Sequence, residues 1–230
     1  MNGNNKPAIK PSATERSHSW TGLSCQNIVS QTMSSNLRGN SMGLPDVISS
    51  SLNVVFCGIN PGMRSAAVGL HFANRSNRFW RVLHLAGFTD RQLEPEEARL
   101  LLDYGCGITS AVARPTVSAT DLSRADYIAA GPVFERKIAK YRPRYLAFLG
   151  KPACSVFLNQ RDLSWGLQPT TLGGSAVWVL PNPSGLNCAF TIGMLADAYK
   201  QLFEAVALGS LGRTVTEMRG RLRRMPSSAY

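Results

Sequence analysis

Short apolar runs recur along the middle of the chain, and each is followed by a polar turn. They lie at Val54–Cys57, Tyr145–Gly150 and Ala176–Leu180 and contain almost no polar side chains. Strands of a parallel sheet have this pattern, because helices cover both faces of such a sheet. The pattern therefore predicts three buried parallel strands.

Segments with apolar residues at helical spacing lie between and after these strands. The helices that they predict cover residues 77–86, 94–104, 132–141, 152–158 and 192–208. The second is marked by Glu94-Pro95-Glu96-Glu97, since proline and acidic residues are favoured in the first turn of a helix. Strands that alternate with helices indicate an α/β fold of three layers, in which a mainly parallel central sheet lies between two layers of helices.

The two ends of the chain differ from this middle part. Residues 1–51 are dominated by Asn, Ser, Gly, Thr and Pro without apolar periodicity, which predicts a flexible tail. Residues 52–208 are long and apolar enough to form one domain with its own core. Residues 209–230 are rich in arginine and are expected to form a basic tail.

The composition narrows the choice of partner and location. The 230 residues include 25 Lys and Arg against 14 Asp and Glu, a formal charge of +11, so nucleic acid or an anionic membrane is a plausible partner. No apolar run reaches the length of a membrane helix, and the N-terminus lacks the apolar region of a secretory signal. A cytoplasmic protein is expected, although the Ser-rich, acid-poor first 50 residues also fit an organellar transit peptide.

Motifs that bind metals or nucleotide cofactors are missing from the sequence. The five cysteines are widely spaced, without a CxxC pair or the Cys/His spacing of a metal site, so reduced thiols are expected. No GxGxxG follows a strand, and neither GxxxxGK[ST] nor GxSxG occurs. We therefore expect neither a metal nor a cofactor.

The candidate site lies where two strands end. One strand runs into Gly58-Ile59-Asn60-Pro61-Gly62 and another into Pro181-Asn182-Pro183-Ser184-Gly185. The carboxyl ends of parallel strands meet at one edge of a sheet, where ligands usually bind, so Asn60 and Asn182 are expected to flank one crevice. Ordinary turns would also explain the Asn-Pro and Pro-Gly pairs. Phe72 follows a run of small residues and is either the floor of a pocket for a flat ligand or a core residue.

Taken together, these motifs resemble those of the mismatch-specific uracil-DNA glycosylases, relatives of thymine-DNA glycosylase. The matching segments are Gly58-Ile59-Asn60-Pro61-Gly62, Phe72, Asn77-Arg78-Phe79-Trp80 and Asn182-Pro183-Ser184-Gly185-Leu186. The resemblance covers roughly residues 52–208 and implies a uracil-DNA glycosylase-like fold and a monofunctional DNA glycosylase without cofactor. Such an enzyme flips a mismatched uracil out of double-stranded DNA, hydrolyses its bond to deoxyribose and leaves an abasic site. Thymine and other damaged pyrimidines are further candidate bases.

The resemblance also implies roles for residues around the flipped base. Asn60 would hold the attacking water, because its amide oxygen can accept a hydrogen bond from water. It would orient the water without deprotonating it, since an amide cannot act as a general base near neutral pH. Main-chain N–H groups near Ile59 and Phe72 would stabilise the departing base, and the Phe72 ring would stack on it. Ser65 and His71 lie where family members adjust their tolerance for the thymine methyl group.

A second implied element is an insertion loop that enters the DNA duplex. It comprises Asn182, Ser184, Gly185, Leu186 and Asn187. Gly185 and Leu186 would fill the space vacated by the flipped base and face the opposite guanine, since an apolar wedge compensates for lost stacking. Cys188 replaces an arginine of the family pattern, which weakens the expected contact with the opposite strand. Lys151, after the Tyr145–Gly150 strand, is a candidate phosphate contact or an ordinary surface lysine.

Three hypotheses about function remain at this point. The first is a monomeric glycosylase that acts on double-stranded DNA with G·U or related mismatches and is associated with the nucleoid through DNA. No Asp or Glu lies between Gly58 and Phe79, so its turnover is expected to be slow. The second is a non-catalytic DNA-binding protein of the same fold, which would be expected to lack Asn60. The third, a small-molecule α/β enzyme using the same crevice, lacks a nucleotide-binding motif or nucleophile elbow.

Overall fold

The structure of the chain is a computed structural model that describes residues 43–222, and side chains as far as residue 209. The predictions for residues 1–42 and 223–230 lie outside the described residues. Residues 43–51 belong to the predicted N-terminal tail, but in the structure Val47 of this segment pairs with Ile108 at one edge of the sheet. The Val47 N–H donates to the Ile108 carbonyl at 2.9 Å, and the Ile108 N–H donates back at 2.7 Å.

A five-stranded sheet forms the centre of the fold. Its strands are β1 (Val54–Gly58), β2 (Cys106–Ser110), β3 (Tyr145–Leu149), β4 (Gly166–Leu172) and β5 (Ser175–Leu180). In the order β2-β1-β3-β5-β4, the first four strands are parallel, and β4 is antiparallel to β5. The predicted fold class, an α/β protein with a central, mainly parallel sheet, is confirmed.

Helices connect the strands. They are α1 (Met63–Val68), α2 (Phe79–Leu85), α3 (Arg124–Tyr141), α4 (Lys151–Phe157) and α5 (Ile192–Leu222), with 3₁₀ helices at Pro95–Leu102 and Ala119–Asp121. Because α5 continues to Leu222, it includes residues 209–222 of the predicted basic tail. Within residues 43–222, no helix has both the length and the apolarity needed to cross a membrane.

Alternate residues of each central strand face opposite layers of the core. Val54 and Phe56 pack with α2 and α5 on one side, whereas Val55 and Cys57 pack with α3 and α4 on the other. The Phe56 ring packs against the rings of Phe79, Phe88 and Tyr199, at centroid distances of 5.6, 5.2 and 6.2 Å. Both faces of β1 are fully buried, so the turn that carries Asn60 follows the carboxyl end of a rigid strand.

Several elements differ from the sequence-based expectation. Strands β2 and β4 and helix α1 lie in segments for which the apolar pattern predicts neither a strand nor a helix, and the predicted helix 94–104 is a 3₁₀ helix. The predicted start of α3 at Pro132 was wrong, because the helix begins at Arg124. Ser123 caps it, since its Oγ accepts from the Asp126 N–H while the Asp126 carboxylate accepts from the Ser123 N–H. This capping box outweighs the usual preference of proline for the first turn, and Pro132 lies inside the helix.

Candidate functional site

A cavity of about 210 Å³ opens at the carboxyl edge of the parallel strands. Gly58, Ser110 and Leu149, at the ends of β1, β2 and β3, line it together with Asn182, which follows β5. The predicted site residues that line it are Ile59, Asn60, Ser65, His71, Phe72, Asn182, Ser184, Gly185 and Leu186. Among the described residues of the lining, none is Asp, Glu, Lys or Arg. The cavity therefore suits a small uncharged ligand better than an ionic one.

Asn60 projects from the turn after β1, and two acceptors fix its amide nitrogen. Asn60 Nδ2 donates to the Arg114 carbonyl oxygen at 2.8 Å and to Thr116 Oγ1 at 2.7 Å. A carbonyl oxygen only accepts hydrogen bonds, so the atom facing Arg114 must be the amide nitrogen. The orientation of the side chain is thereby settled, and Oδ1 is left as an acceptor for a group in the cavity.

Thr116 is a site residue that the sequence did not reveal. Its hydroxyl donates to the Ser118 carbonyl at 2.7 Å, so its lone pairs accept from Asn60 Nδ2. Its main-chain N–H donates to the Pro61 carbonyl at 3.1 Å, which holds the two loops side by side. The only sequence signal was a Thr-, Ser- and Pro-rich loop 56 residues after Asn60.

Phe72 lines the cavity and has an uncommon backbone conformation. Its φ is 54°, in the left-handed region that bulky residues rarely adopt. Its ring stacks on the buried Phe79 ring with centroids 4.0 Å apart, and a Cβ placed on Gly58 would lie 3.4 Å from it. Phe72 is half-buried and lines the cavity, so core packing and a ligand-facing position are combined in one side chain.

Ser65 supports the segment around Phe72. Its buried Oγ accepts from the Ala73 N–H at 3.1 Å, and Arg64 Nε donates to the Ala73 carbonyl at 3.0 Å. Both contacts hold the residue next to Phe72, and they help to maintain the strained φ at that position.

His71 is buried beside the cavity and is held by the segment that precedes β1. Its Nε2 lies 2.9 Å from the Pro45 carbonyl oxygen, so Nε2 carries a proton and Nδ1 is the acceptor of the neutral ring. Burial lowers the pKa of His71 from 6.5, and Lys137 acts in the same direction, whereas the hydrogen bond to Pro45 and the charge of Asp46 oppose the shift. The imidazole is therefore neutral at pH 7.

The lowered pKa of His71 predicts a loss of stability in mild acid. The unfolded chain takes up a proton on this histidine below about pH 6.5, whereas the folded protein resists it, so acidification favours the unfolded chain. We expect the melting temperature to fall between pH 7 and pH 5.5, and to fall less for His71→Gln. A variant with the same pH dependence as the wild type would mean that other groups cause the loss.

The segment between β5 and α5, which contains the predicted insertion loop, is shaped by its own side chains. Asn182 Oδ1 accepts from the Ser184 N–H at 2.9 Å, and Ser184 Oγ accepts from the Leu186 N–H at 3.3 Å. Asn187 does not line the cavity, and its Nδ2 donates to the Asn182 carbonyl at 2.9 Å. The closed turns leave Leu186 at the tip with 78% of its surface exposed.

Gly185 packs closely against Ser76, another residue of the cavity lining. A Cβ at this position would lie 2.6 Å from the Ser76 carbonyl oxygen and from Ser76 Cβ. Because part of this obstacle is backbone, only glycine fits without a shift of the chain.

Lys151 is placed differently from the cavity residues. Its Nζ lies over the ring of Trp165, 4.6 Å from the centroid, and it does not line the cavity. This cation–π contact restrains the side chain without neutralising its charge. Its role as a phosphate contact stays a prediction.

The described residues contain no group of three or more His, Cys, Asp or Glu side chains that could hold a metal ion. Cys57, Cys106, Cys154 and Cys188 are free, and only Cys188 is exposed. Burial raises the pKa of Cys106 and Cys154 to about 12, so these thiols stay protonated and unreactive.

Comparison with known proteins gives two findings. The family model described as the uracil DNA glycosylase superfamily matches residues 45–206, a range that contains Asn60, Phe72 and Leu186. A solution NMR structure of a "putative Uracil DNA glycosylase" from Methanosarcina acetivorans is also similar, with 18% sequence identity and a TM-score of 0.49. The match covers 70% of this chain and 96% of that chain.

Proposed function

Because this chain belongs to the uracil DNA glycosylase superfamily, we propose that it is a monofunctional DNA glycosylase that excises uracil from mismatched double-stranded DNA. The flipped nucleotide enters the cavity, and water cleaves the bond between base and deoxyribose. The water oxygen bonds to the sugar carbon as the bond to the base breaks, the proton of the water passes through solvent to the departing base, and the products are the free base and an abasic site. A G·U mismatch is the proposed substrate, and thymine or another damaged pyrimidine is the proposed further base.

The fixed orientation of Asn60 is the observation that carries this proposal. Arg114 and Thr116 hold Nδ2, so Oδ1 can accept a hydrogen bond from one water molecule. This hydrogen bond would orient the water so that a lone pair of the water oxygen points at the sugar carbon. An amide does not take up a proton near pH 7, so Asn60 orients the water and does not deprotonate it. Rate acceleration must then come from positioning and from electrostatic stabilisation.

The described lining contains no negative charge that would oppose departure of the base as an anion. None of the described lining residues carries a carboxylate that would repel negative charge on the leaving base, and Ile59 and Phe72 both face the cavity. We propose that their main-chain N–H groups donate to that anion. The lining also offers no carboxylate to stabilise a positively charged sugar, which supports slow turnover.

The exposed tip at Leu186 supports entry into a duplex. We propose that Leu186 and Gly185 fill the gap left by the flipped base, with Asn182, Ser184 and Asn187 shaping the loop. Lys151 is the proposed phosphate contact. The enzyme is proposed to act as a cytoplasmic monomer on chromosomal DNA, without metal or cofactor.

The proposal is tested by incubating the full chain with labelled duplexes that contain U·G, T·G or U·A, and with single-stranded uracil DNA. Alkali then cleaves the abasic sites that form. We expect slow but measurable cleavage at U·G under single-turnover conditions, because the described cavity lining offers no carboxylate to assist the reaction. Binding of these duplexes without cleavage of any of them would instead identify a non-catalytic DNA-binding protein.

Thr116→Val tests the anchoring of Asn60 at nearly constant side-chain volume. The substitution removes the hydroxyl that accepts from Asn60 Nδ2 and leaves the Arg114 carbonyl as the remaining anchor. We expect the single-turnover rate on U·G to fall about 3- to 10-fold, the worth of one hydrogen bond. Thr116→Ser keeps the hydroxyl and is expected to stay within about twofold of the wild-type rate. Equal losses for both variants would mean that packing of the threonine methyl matters instead.

A further inference from the structure

Arg78 lies at the N-terminal end of α2 and binds the segment that carries the predicted insertion loop. Its guanidinium donates from Nε to Pro183 O at 3.3 Å, from Nη1 to Phe190 O at 2.6 Å, and from Nη2 to Ser184 O and Asn187 O at 2.7 and 2.9 Å. Its main-chain N–H also donates to the Pro183 carbonyl at 3.0 Å. One side chain thus binds four carbonyl oxygens from both ends of one loop.

This arrangement uses almost the full capacity of the side chain. A guanidinium has five N–H donors in a rigid planar fork, and four of them are occupied by loop carbonyls. Hydrogen bonds from a charged donor are roughly twice as strong as those between neutral groups. Arg78 forms no ion pair with a carboxylate of the described residues, so its positive charge strengthens the hydrogen bonds to the loop carbonyls instead.

The bonded carbonyls flank Leu186 on both sides. The Ser184 carbonyl lies two residues before the exposed leucine and the Asn187 carbonyl one residue after it, and both bind the same Nη2 atom. The tip between them is therefore restrained although its side chain is 78% exposed. A loop ordered before binding loses less conformational entropy when it enters a ligand than a mobile one.

We propose that Arg78 is a positioning residue that holds the insertion loop in its DNA-entering shape before DNA arrives, and that it acts on base flipping through Leu186. The inference rests on the proposed glycosylase function. It assigns Arg78 a role in presenting the wedge, distinct from contact with the base or with the attacking water.

The first test measures, without catalysis, how strongly Arg78 restrains the insertion loop. Native-state hydrogen exchange is compared for the wild type, Arg78→Lys and Arg78→Gln, and the Asn187 and Cys188 amides are the reporters because they close the loop turns. We expect at least about tenfold faster exchange in both variants, with unchanged protection of β5. Arg81→Lys and Arg81→Gln are the matched controls, since Arg81 is exposed on the same helix and makes no loop contact within the described residues. Unchanged exchange in both Arg78 variants would overturn the proposal whether or not the protein excises uracil.

The second test measures coupling between Arg78 and Leu186. Single-turnover excision from U·G duplex is compared for wild type, Arg78→Gln, Leu186→Ala and the double variant. We expect Arg78→Gln to slow excision about 10- to 100-fold in the wild-type background, because a small misplacement of a positioned group has effects of this size. In the Leu186→Ala background, Arg78→Gln is expected to slow excision by no more than about twofold, because no wedge side chain remains to be positioned.

The outcomes separate the explanations. Independent, multiplicative losses in the double variant would overturn a role that acts through Leu186. Restoration of the rate by Arg78→Lys would also overturn it, because lysine keeps the charge for DNA but loses the fork. Should Arg78→Gln fail to fold, the cycle is run with Arg78→Lys. If the wild type excises no base, the proposed function fails, while hydrogen exchange still decides whether Arg78 orders the loop.

Discussion

Asn60→Ala is expected to reduce the single-turnover rate of uracil excision by at least about 1,000-fold while leaving duplex affinity within about twofold. Alanine removes the Oδ1 atom that would hold the attacking water, and no described residue of the cavity lining carries a carboxylate that could orient the water instead. Affinity is preserved because the proposed DNA contacts lie in the insertion loop and at Lys151. The measurement combines alkali cleavage of a labelled U·G duplex with its equilibrium binding.

Two variants serve as controls for this prediction. Asn74→Ala removes another amide of the cavity lining. The Asn74 side chain is exposed and, among the described residues, accepts hydrogen bonds from Ser76 alone, so the substitution is expected to slow excision a few-fold at most. Asn60→Asp keeps the side-chain shape but turns the donor into an acceptor, so its carboxylate would face the Arg114 carbonyl oxygen. We expect no gain in rate from that carboxylate. An Asn60→Ala variant as fast as the wild type would remove the basis of the proposed mechanism.

The buried strands could be predicted from the sequence because their apolar runs are continuous. Strand β2 was missed because its sequence, Cys-Gly-Ile-Thr-Ser, contains a glycine and only one large apolar residue. The structure explains this glycine: a Cβ on Gly107 would lie 2.6 Å from the Val47 carbonyl and 2.7 Å from Leu52 Cδ1. The close approach of residues 43–52 thus removes the signal by which a strand is recognised.

The site divides in the same way into a predictable and an unpredictable part. Asn60 and Asn182 could be proposed because they follow strand ends within recognisable local motifs, and Phe72 because it follows a run of small residues. Their supports could not, because Thr116 lies 56 residues from Asn60, and Arg78 lies 105 to 112 residues from the carbonyls that it binds. Such pairs are brought together only by the assembled sheet and loops. Positioning residues are therefore harder to find from one sequence than the groups that they position.

The conformation of Phe72 could not be predicted either. A bulky residue at positive φ contradicts local preference, and a strained backbone of this kind costs about 1–3 kcal/mol. Ser65 and Arg64 hold the neighbouring Ala73, and the Phe79 ring supports the stacked side chain. Departures from local preference concentrate at functional sites, where the required geometry outweighs the cost. The strain at Phe72 thus favours a ligand-facing ring over simple core packing.

Phe72→Ala is accordingly expected to slow uracil excision about 5- to 150-fold, which corresponds to the ~1–3 kcal/mol lost per stacked base on removal of an aromatic ring. Phe72→Tyr keeps the flat face and should stay within about threefold of the wild type, whereas Phe72→Leu keeps apolar bulk without that face and should resemble alanine. Single-turnover rates and melting temperatures are measured for all three. A leucine variant with the wild-type rate would show that the ring contributes packing against Phe79 and no stacking on the base. Loss of rate in alanine and leucine, with comparable melting temperatures across the series, would assign the ring to the base itself.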